Sequence, residues 1–178
     1  RLKASPELES ELETALAAAT ALQSRCILLA TPAEVTPTAL SRDRIARLLE
    51  RLPRDVTQIA WEPRGVWETD DAAVWACKWG VALSVDPTRE PVPAGPVAYA
   101  RLRALGESRS FGPAALERVT QAIGDRREAY VVIDSPTALA ECKKLRQLSQ
   151  RTAAKDGGRG RVIRPRNLTL KVRDDEQE

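Results

Sequence analysis

The sequence contains no histidine, and its three cysteines are widely spaced. Without histidine the chain cannot supply a serine–histidine–aspartate triad, an HExxH zinc site or a histidine-bound iron centre of its own. Cys26, Cys77 and Cys142 form no CxxC pair, so we expect no metal site of the thiolate type. Isolated cysteines are typical of a reducing compartment, where each acts as a small apolar residue. These absences predict a cytoplasmic protein without a metal or cofactor.

Long apolar runs and methionine are also absent. No stretch of about 18 apolar residues exists, so we expect no membrane-spanning helix and no membrane partner. No signal peptide is recognisable. The sequence begins at Arg1 and lacks methionine, so we expect a fragment or a processed chain rather than a simple translation product. The 178 residues suit one globular domain. They fall short of the roughly 250 residues of a complete (β/α)₈ barrel.

The positive charge is concentrated near the C-terminus. Residues 151–178 hold eight of the 28 lysines and arginines and five of the 25 acidic residues, so the rest of the chain is balanced. We therefore predict a domain over 1–152 and a flexible tail over 153–178, basic and then acidic. Four arginines of the tail are candidates for binding a partner or nucleic acid: Arg159, Arg161, Arg164 and Arg166. No aromatic residues lie between them, which makes nucleic acid the weaker alternative.

Five short apolar runs alternate with amphipathic segments. The runs predict strands over 26–30, 56–61, 81–85, 97–102 and 129–133. The segments predict helices over about 6–23, from Ser41 to Leu52, and over about 70–79, 113–124 and 136–151, the last with Leu139, Leu145 and Leu148 facing inward. This alternation is typical of a parallel sheet with crossover helices. Both a doubly wound open sheet and part of a (β/α)₈ barrel fit it, although no glycine-rich phosphate motif follows the first strand.

Charged side chains follow several of the predicted strands. Glu62 and Arg64 follow the second strand, Asp86 the third and Asp134 the fifth, while Arg101 lies near the end of the fourth. Because ligands of parallel α/β folds meet the carboxyl ends of strands, these residues predict a polar mouth for a phosphate, carboxylate or sugar. Glu62 or Asp86 would act as a base if burial raised its pKa. The alternative is structural, with ion pairs between loops, a turn at Asp86 and a helix start after Asp134.

All four tryptophans lie within a short segment. Trp75 and Trp79 are one helical turn apart and are expected to pack in a core or an interface. Trp61 and Trp67 flank the Glu62–Arg64 pair and would form a stacking wall for a sugar or base if they faced the mouth. Core packing is the favoured interpretation because burial is the usual use of aromatic side chains.

The residues between 25 and 150 resemble the YecE-like proteins, catalogued as domain of unknown function 72. The similarity is carried by Trp61-Glu62-Pro63-Arg64-Gly65-x-Trp67, by Val85-Asp86-Pro87, by Tyr99-Ala100-Arg101-Leu102 and by Ala129–Asp134 with the helix after it. The resemblance implies a TIM-barrel-like fold. It also implies that Glu62, Arg64, Asp86 and Arg101 lie at the mouth of the family's polar pocket.

The sequence departs from that family at several places. The family's N-terminal strands are missing, Arg103-Ala104 stands where the family has His-Gly, and Ile133-Asp134-Ser135 where it has Phe-Asn-Asn. Ala30 stands where the family tends to have glutamine. These departures favour a degenerate, non-catalytic member that acts as a subunit or interaction module. The alternatives are a protein that binds a small anionic or sugar-like ligand, with hydrolase or isomerase-type chemistry, and, more weakly, a nucleic-acid accessory protein.

An incomplete barrel of about five strands has two unpaired sheet edges and an open interior. We expect another protein chain, a second copy or the segment 162–172 to cover them. The fold prediction is therefore a set of parallel βα units in an incomplete TIM-barrel-like arrangement, followed by a basic C-terminal arm.

Overall fold

The computed structural model describes residues 5–104 and 110–155, and it confirms the alternation of strands and helices. The elements are α1 (Pro6–Ala21), β1 (Cys26–Thr31), α2 (Ala39–Glu50), β2 (Gln58–Pro63), α3 (Thr69–Trp79), β3 (Ala82–Val85), β4 (Val97–Arg103), α4 (Pro113–Ile123), β5 (Glu128–Asp134) and α5 (Ala138–Lys155). All four strand pairs are parallel, and the strands are neighbours in chain order, β1-β2-β3-β4-β5. A doubly wound sheet would reverse its strand order at a switch point. The sheet is an open half-barrel, and the fold is α/β and incomplete TIM-barrel-like.

The strand register sets two faces of the curled sheet. Paired residues of parallel strands share a face, and successive residues of one strand alternate between faces. The outer face carries Ile59, Trp61, Leu83, Leu102 and Ile133, all buried and packed with residues of the helices. The residues that alternate with these form the inner face, among them Glu62, Tyr99, Arg101 and Tyr130. Adjacent residues such as Trp61 and Glu62 therefore lie on opposite faces of the sheet.

The outer core consists of two clusters. The first joins α2 and α3 to β2 and β3 through side chains such as Ile45, Leu49 and Ala76. The second joins α4 to β4 and β5 through Leu116 and Val119. Between the clusters the chain crosses from β3 to β4 without a helix, in a segment over 86–96 that contains four prolines. Because a helix is the usual cover for such a crossover, its absence divides the helical layer in two.

The two outermost strands meet at the base of the half-barrel. The hydroxyl of Tyr130 on β5 donates to the carbonyl oxygen of Arg25, just before β1, at 3.3 Å. The Arg25 guanidinium pairs with Glu128 at 3.7 Å, and the Tyr130 hydroxyl lies 3.0 Å from the same carboxylate. Tyr99 on the inner face is only 8% exposed, so the sheet curls closely around it. Side-chain contacts thus join the ends of the two edge strands at the base of the half-barrel, while the strands themselves do not pair.

Several element boundaries differ from those predicted. Thr38, not Ser41, caps α2, because its hydroxyl accepts from the Ser41 amide at 3.2 Å. Strand β2 begins at Gln58, and Val56 before it is exposed. The prediction that Leu139 faces inward is wrong, since its side chain is 73% exposed. The inward face of α5 follows Ala138, Glu141, Leu145 and Leu148, and Leu139 lies about 100° away from it.

Helix α5 extends to Lys155, beyond the predicted domain boundary at 152. The predicted basic arm, with its candidate arginines 159, 161, 164 and 166 and the segment 162–172, lies outside the described residues. Within 5–104 and 110–155, no helix has the length and apolar character needed to cross a membrane.

Candidate functional site

Glu62 is the centre of a charged cluster at the open end of the half-barrel. It is the penultimate residue of β2, faces inward and is only 6% exposed. Three arginines donate to its carboxylate. Arg103 Nη2 lies 2.6 Å from Oε1, Arg101 Nη1 lies 3.1 Å from Oε2, and Arg64 Nε lies 3.4 Å from Oε1. We refer to Glu62, Arg64, Arg101 and Arg103 as the arginine cluster.

Two local features place the arginines around this carboxylate. Arg101 and Arg103 are two residues apart on β4, so strand alternation points both side chains to the inner face. Arg64 enters from the loop after β2, where Gly65 has a positive φ of 84°. A Cβ atom on Gly65 would lie 2.6 Å from the carbonyl oxygen of Ala33, so the loop needs glycine to approach the neighbouring loop after β1.

The electrostatics of Glu62 are set by two opposing effects. Burial raises the pKa of its carboxyl group, but hydrogen bonds and charge interactions with Arg101 and Arg103 outweigh burial and lower it. The carboxyl group is therefore ionised at neutral pH, and burial does not make it the base that the sequence suggested. Three guanidinium groups around one carboxylate leave the cluster with a net positive charge. The side chains of Arg101, Arg103 and Arg64 are 27%, 45% and 53% exposed, so solvent and solutes reach them.

Asp86 borders the cluster but serves mainly as a turn residue. Its Oδ1 accepts from the Thr88 amide at 3.0 Å and from the Thr88 hydroxyl at 2.6 Å. Its Oδ2 accepts from the Arg103 amide at 3.5 Å and pairs with Arg89 at 3.7 Å. This is the turn that the structural alternative predicted. Asp86 thereby ties the end of β3 to the end of β4 beside the cluster.

Two of the candidate ligand residues do not join the cluster. Asp134 pairs in register with Arg103, and its carbonyl accepts from the Ala104 amide at 3.1 Å, but its exposed carboxylate has no partner among the described residues. Trp67 packs in the outer core, where its ring meets Trp61 edge-on at 4.9 Å and its indole N–H donates to the Val35 carbonyl at 2.7 Å. Since Trp61 is fully buried, the two rings form no stacking wall, and the core-packing interpretation holds.

Arg103 is the cluster member that the sequence analysis did not select as a ligand residue. It makes the shortest of the three contacts with Glu62. The available signal was the alternation Arg101-Leu102-Arg103, which in a strand places both arginines on one face. Arg103 lies beside Arg101 at the end of the predicted fourth strand, but the resemblance does not place it in the pocket, because Arg103-Ala104 stands where the family has His-Gly.

A second buried carboxylate organises the loops near the open end. Glu141 on α5 accepts from the Phe111 amide at 2.6 Å, from the Thr137 hydroxyl at 3.0 Å and from the Ser135 hydroxyl. Burial raises its pKa, but these hydrogen bonds outweigh burial and lower it. All of its donors come from this chain, so Glu141 links the entry of α4 to the start of α5. In the part of the chain that the structure describes, no three His, Cys, Asp or Glu side chains could hold a metal ion together.

Comparison with known proteins finds likeness in structure and not in sequence. No protein-family profile and no curated protein matches the sequence. Two crystal structures of a DUF72 family protein from Enterococcus faecalis V583 match with a TM-score of 0.53 at 12% and 13% identity. They cover 70% and 71% of this chain, which spans 58% and 60% of theirs. A xylose isomerase domain containing protein from Salmonella typhimurium LT2 matches with a TM-score of 0.52 at 14% identity, over 86% of this chain and 71% of that one.

At these identities the likeness shows the fold. Two of these neighbours are DUF72 family proteins, so the predicted likeness to domain of unknown function 72 is confirmed as a likeness of fold. The YecE name and the loss of the family's N-terminal strands stay predictions. The chain spans less than two thirds of the DUF72 structures that it matches.

Proposed function

We propose that this α/β domain binds a small anionic ligand at the arginine cluster. One observation carries the proposal. Three arginines, two on β4 and one in the loop after β2, surround the single carboxylate of Glu62 at the open end of the strands. These three guanidinium groups donate to one carboxylate, so their positive charge exceeds its negative charge. Here the excess guanidinium charge lies where ligands of (β/α) barrels bind.

The geometry of the arginines suits this role. Glu62 engages one nitrogen of each arginine, which leaves other N–H groups of every guanidinium without a bond to it. Arginine presents its donors in a planar fork that matches phosphate and carboxylate oxygens. Glu62 holds the three like charges together in the absence of ligand. The proposal concerns binding, because the cluster offers no carboxyl group with a raised pKa to act as a base.

Titration of the protein with inorganic phosphate, followed by calorimetry at low salt, tests the proposal. We expect saturable binding that weakens at least tenfold in Arg101→Ala and in Arg103→Ala. Arg118→Ala is the matched control, since Arg118 is an exposed arginine on α4 that forms no ion pair with Glu62, and its loss should leave binding unchanged. Far-UV circular dichroism checks that each variant folds. Absence of phosphate binding in the parent protein, or an equal loss in Arg118→Ala, would refute an anion site.

The unpaired sheet edges favour a second candidate, an interaction subunit. Strands β1 and β5 each pair with one neighbour only among the described residues, and the chain spans about three fifths of the DUF72 structures. An unpaired strand edge is a template for a further strand. Another protein chain or a second copy of this one would supply it.

Native mass spectrometry of the protein purified gently from its source tests this second candidate. A stable complex with a second copy or with another chain, lost when a charged or proline residue is placed on the β5 edge at Val132, would support it. A monomer at every concentration, with no co-purifying chain, would refute the interaction-subunit candidate.

A further inference from the structure

We propose that the ligand of the arginine cluster is a small zwitterion, a phosphate monoester whose short alkyl chain ends in an ammonium group bound by Asp134. This inference rests on the proposed anion site and specifies what else the ligand carries. The arginines hold the phosphate, because planar guanidinium groups match phosphate oxygens. Asp134 supplies a charge of the opposite sign at the carboxyl end of β5.

Asp134 lies beside the arginines on the neighbouring strand. It is the last residue of β5 and the register partner of Arg103 on β4. Adjacent strands of a sheet are about 4.8 Å apart, so one small ligand can reach both residues. Ile133 packs in the outer core, so strand alternation places Asp134 on the inner face with Arg103.

Arg103 does not pair with this neighbouring carboxylate. Its guanidinium instead reaches past β3 to Glu62 on β2, where Nη2 lies 2.6 Å from Oε1. Opposite charges at paired positions of neighbouring strands commonly attract each other. The arginine nearest to Asp134 is thus engaged elsewhere, and the Asp134 carboxylate is exposed and has no ion pair with any described residue.

The other acidic residues at this end of the strands already have partners. Glu62 accepts from the three arginines of the cluster. Asp86 accepts from Thr88 and pairs with Arg89. Within the described residues, Asp134 is therefore the carboxylate that is left to meet a cation, and that cation would lie next to the anion held by the arginines.

An exposed apolar side chain lies next to both charges. Val132 precedes Asp134 by two residues on β5 and is the register partner of Arg101, so it shares the inner face with them. It is 40% exposed. A short alkyl chain between the phosphate and the ammonium group could contact it. The ligand would therefore lie on exposed side chains along the rim of β4 and β5.

Calorimetry at low salt with two matched probes tests the proposal: O-phosphoethanolamine, and ethyl phosphate, which lacks the ammonium group. At pH 7.5 both phosphates are mostly doubly charged, because the second pKa of a phosphate monoester is about 6. We expect the parent protein to bind O-phosphoethanolamine about two- to fivefold more tightly, the effect of one exposed ion pair. Asp134→Asn should remove this preference. It should also bind ethyl phosphate more tightly than the parent does, because a charge that repels phosphate is lost.

Asp125→Asn is the matched control for the charge change. Asp125 is an exposed aspartate in the loop that precedes β5, at the opposite end of that strand from Asp134. Its substitution should leave both affinities unchanged, and far-UV circular dichroism checks that each variant folds. Loss of the preference in Asp125→Asn as well would refute the assignment to Asp134.

The outcomes separate this inference from the proposed function. If ethyl phosphate binds but O-phosphoethanolamine binds no more tightly, the ammonium subsite is refuted and the anion site stands. The same holds if Asp134→Asn changes both affinities by the same factor. If neither probe binds, or if Arg101→Ala leaves both affinities unaltered, the anion site itself is refuted, and this inference with it.

Discussion

At the scale of single residues, Glu62 holds together side chains that repel one another. Arg64, Arg101 and Arg103 come from a loop and from one strand, and each donates to the same carboxylate. Without that carboxylate, Arg101 and Arg103 would be like charges two residues apart on one face of β4. Glu62 thus stabilises the open end of the half-barrel by offsetting the repulsion between the arginines.

Glu62→Gln should lower the free energy of unfolding at pH 7 by about 1–3 kcal/mol. The loss is smaller than the 3–5 kcal/mol for a fully buried pair because the arginines are partly exposed. The pKa of Glu62 is lowered by folding from an ordinary value of 4.5, so its contribution is fully present above about pH 4.5 and is lost as pH falls through the lowered value. Urea unfolding at pH 7 and at pH 3 should show the difference between parent and variant shrinking in acid.

Glu117→Gln is the control for this experiment, because Glu117 is exposed on α4 and lacks an ion pair among the described residues. Its substitution should leave the free energy of unfolding unchanged at both pH values. A Glu62→Gln deficit of the same size in acid and at neutral pH would show that the carboxylate charge is not what stabilises the cluster.

The three cysteines should differ in their reactivity toward thiol reagents. Burial, with a smaller effect from Glu128, raises the pKa of the Cys26 thiol to about 11, so it is protonated at neutral pH and a poor nucleophile. Cys77 and Cys142 are exposed, so these two cysteines do not serve as small apolar residues of the core. A thiol-reactive chromophore at pH 7.5 should therefore modify two thiols quickly and the third only after unfolding. Rapid reaction of Cys26 in a Cys77→Ser/Cys142→Ser variant would contradict this prediction.

At the scale of elements, Gly80 and Gly65 both have a positive φ, but their surroundings differ. Gly80 ends α3 in the left-handed conformation, with φ 66°, as its position after the helical pattern predicted. Gly65 has φ 84° in the loop that carries Arg64. A Cβ atom on Gly80 would meet only the guanidinium end of the long Arg54 side chain, whereas one on Gly65 would collide with the Ala33 backbone.

Gly65→Ala should therefore destabilise the protein more than Gly80→Ala. The left-handed backbone costs an alanine about 1–2 kcal/mol at either position. The clash with Ala33 adds to that cost at Gly65, where we expect about 2–4 kcal/mol in total. Denaturant unfolding of the two variants measures the difference, and phosphate binding shows whether Gly65→Ala also displaces Arg64. Equal destabilisation would mean that the loop after β1 moves aside without cost.

The sequence predicts the elements well because each has a local cause. Apolar runs mark the strands, and Ser5 and Gly80 mark helix ends that the structure confirms. Where the prediction fails, a nearby residue takes the role that was predicted for another. Thr38 rather than Ser41 caps α2, and the inward face of α5 contains Glu141 rather than Leu139.

The site is only partly predictable from sequence. Glu62, Arg64 and Arg101 could be selected because they lie at strand ends, and the structure joins them. Whether each of the other residues joins the site depends on which face of its strand it occupies. Alternation turns Trp61 outward, and Trp67 packs against it, while Arg103 joins Arg101 inside. The curl of the sheet, which brings β4 across to β2, is a long-range property that no local pattern of residues reveals.

At the scale of the whole molecule, the helix-free crossover over 86–96 separates two cores. Arg126 fastens this segment to the end of α4 by donating to the carbonyls of Val92 and Pro93 at 3.2 Å and 3.0 Å. Val92 itself packs on the first cluster. The crossover therefore joins the two halves through the hydrogen bonds of Arg126 and the packing of Val92 rather than through a shared helix.

Substitutions in the two clusters should act independently. Ile45→Val lies in the first cluster and Val119→Ala in the second, and the two residues share no cluster partners. We expect losses of about 0.5–1.5 kcal/mol and about 2 kcal/mol, and a double variant whose loss equals their sum within about 0.5 kcal/mol. Denaturant unfolding of the four proteins completes the cycle. A coupling energy well above that limit would show that the crossover transmits packing between the cores.

The contact at the base of the half-barrel bears on how long the fold lasts once formed. The hydrogen bond from Tyr130 to Arg25 joins residues 105 positions apart in the chain. Closing so long a loop is entropically costly until the strands between have paired, so we expect this contact to form late in folding. Interactions absent from the transition state affect the unfolding rate and hardly change the folding rate. We therefore expect the contacts between the ends of β1 and β5 to affect the unfolding rate of the curled sheet more than its folding rate.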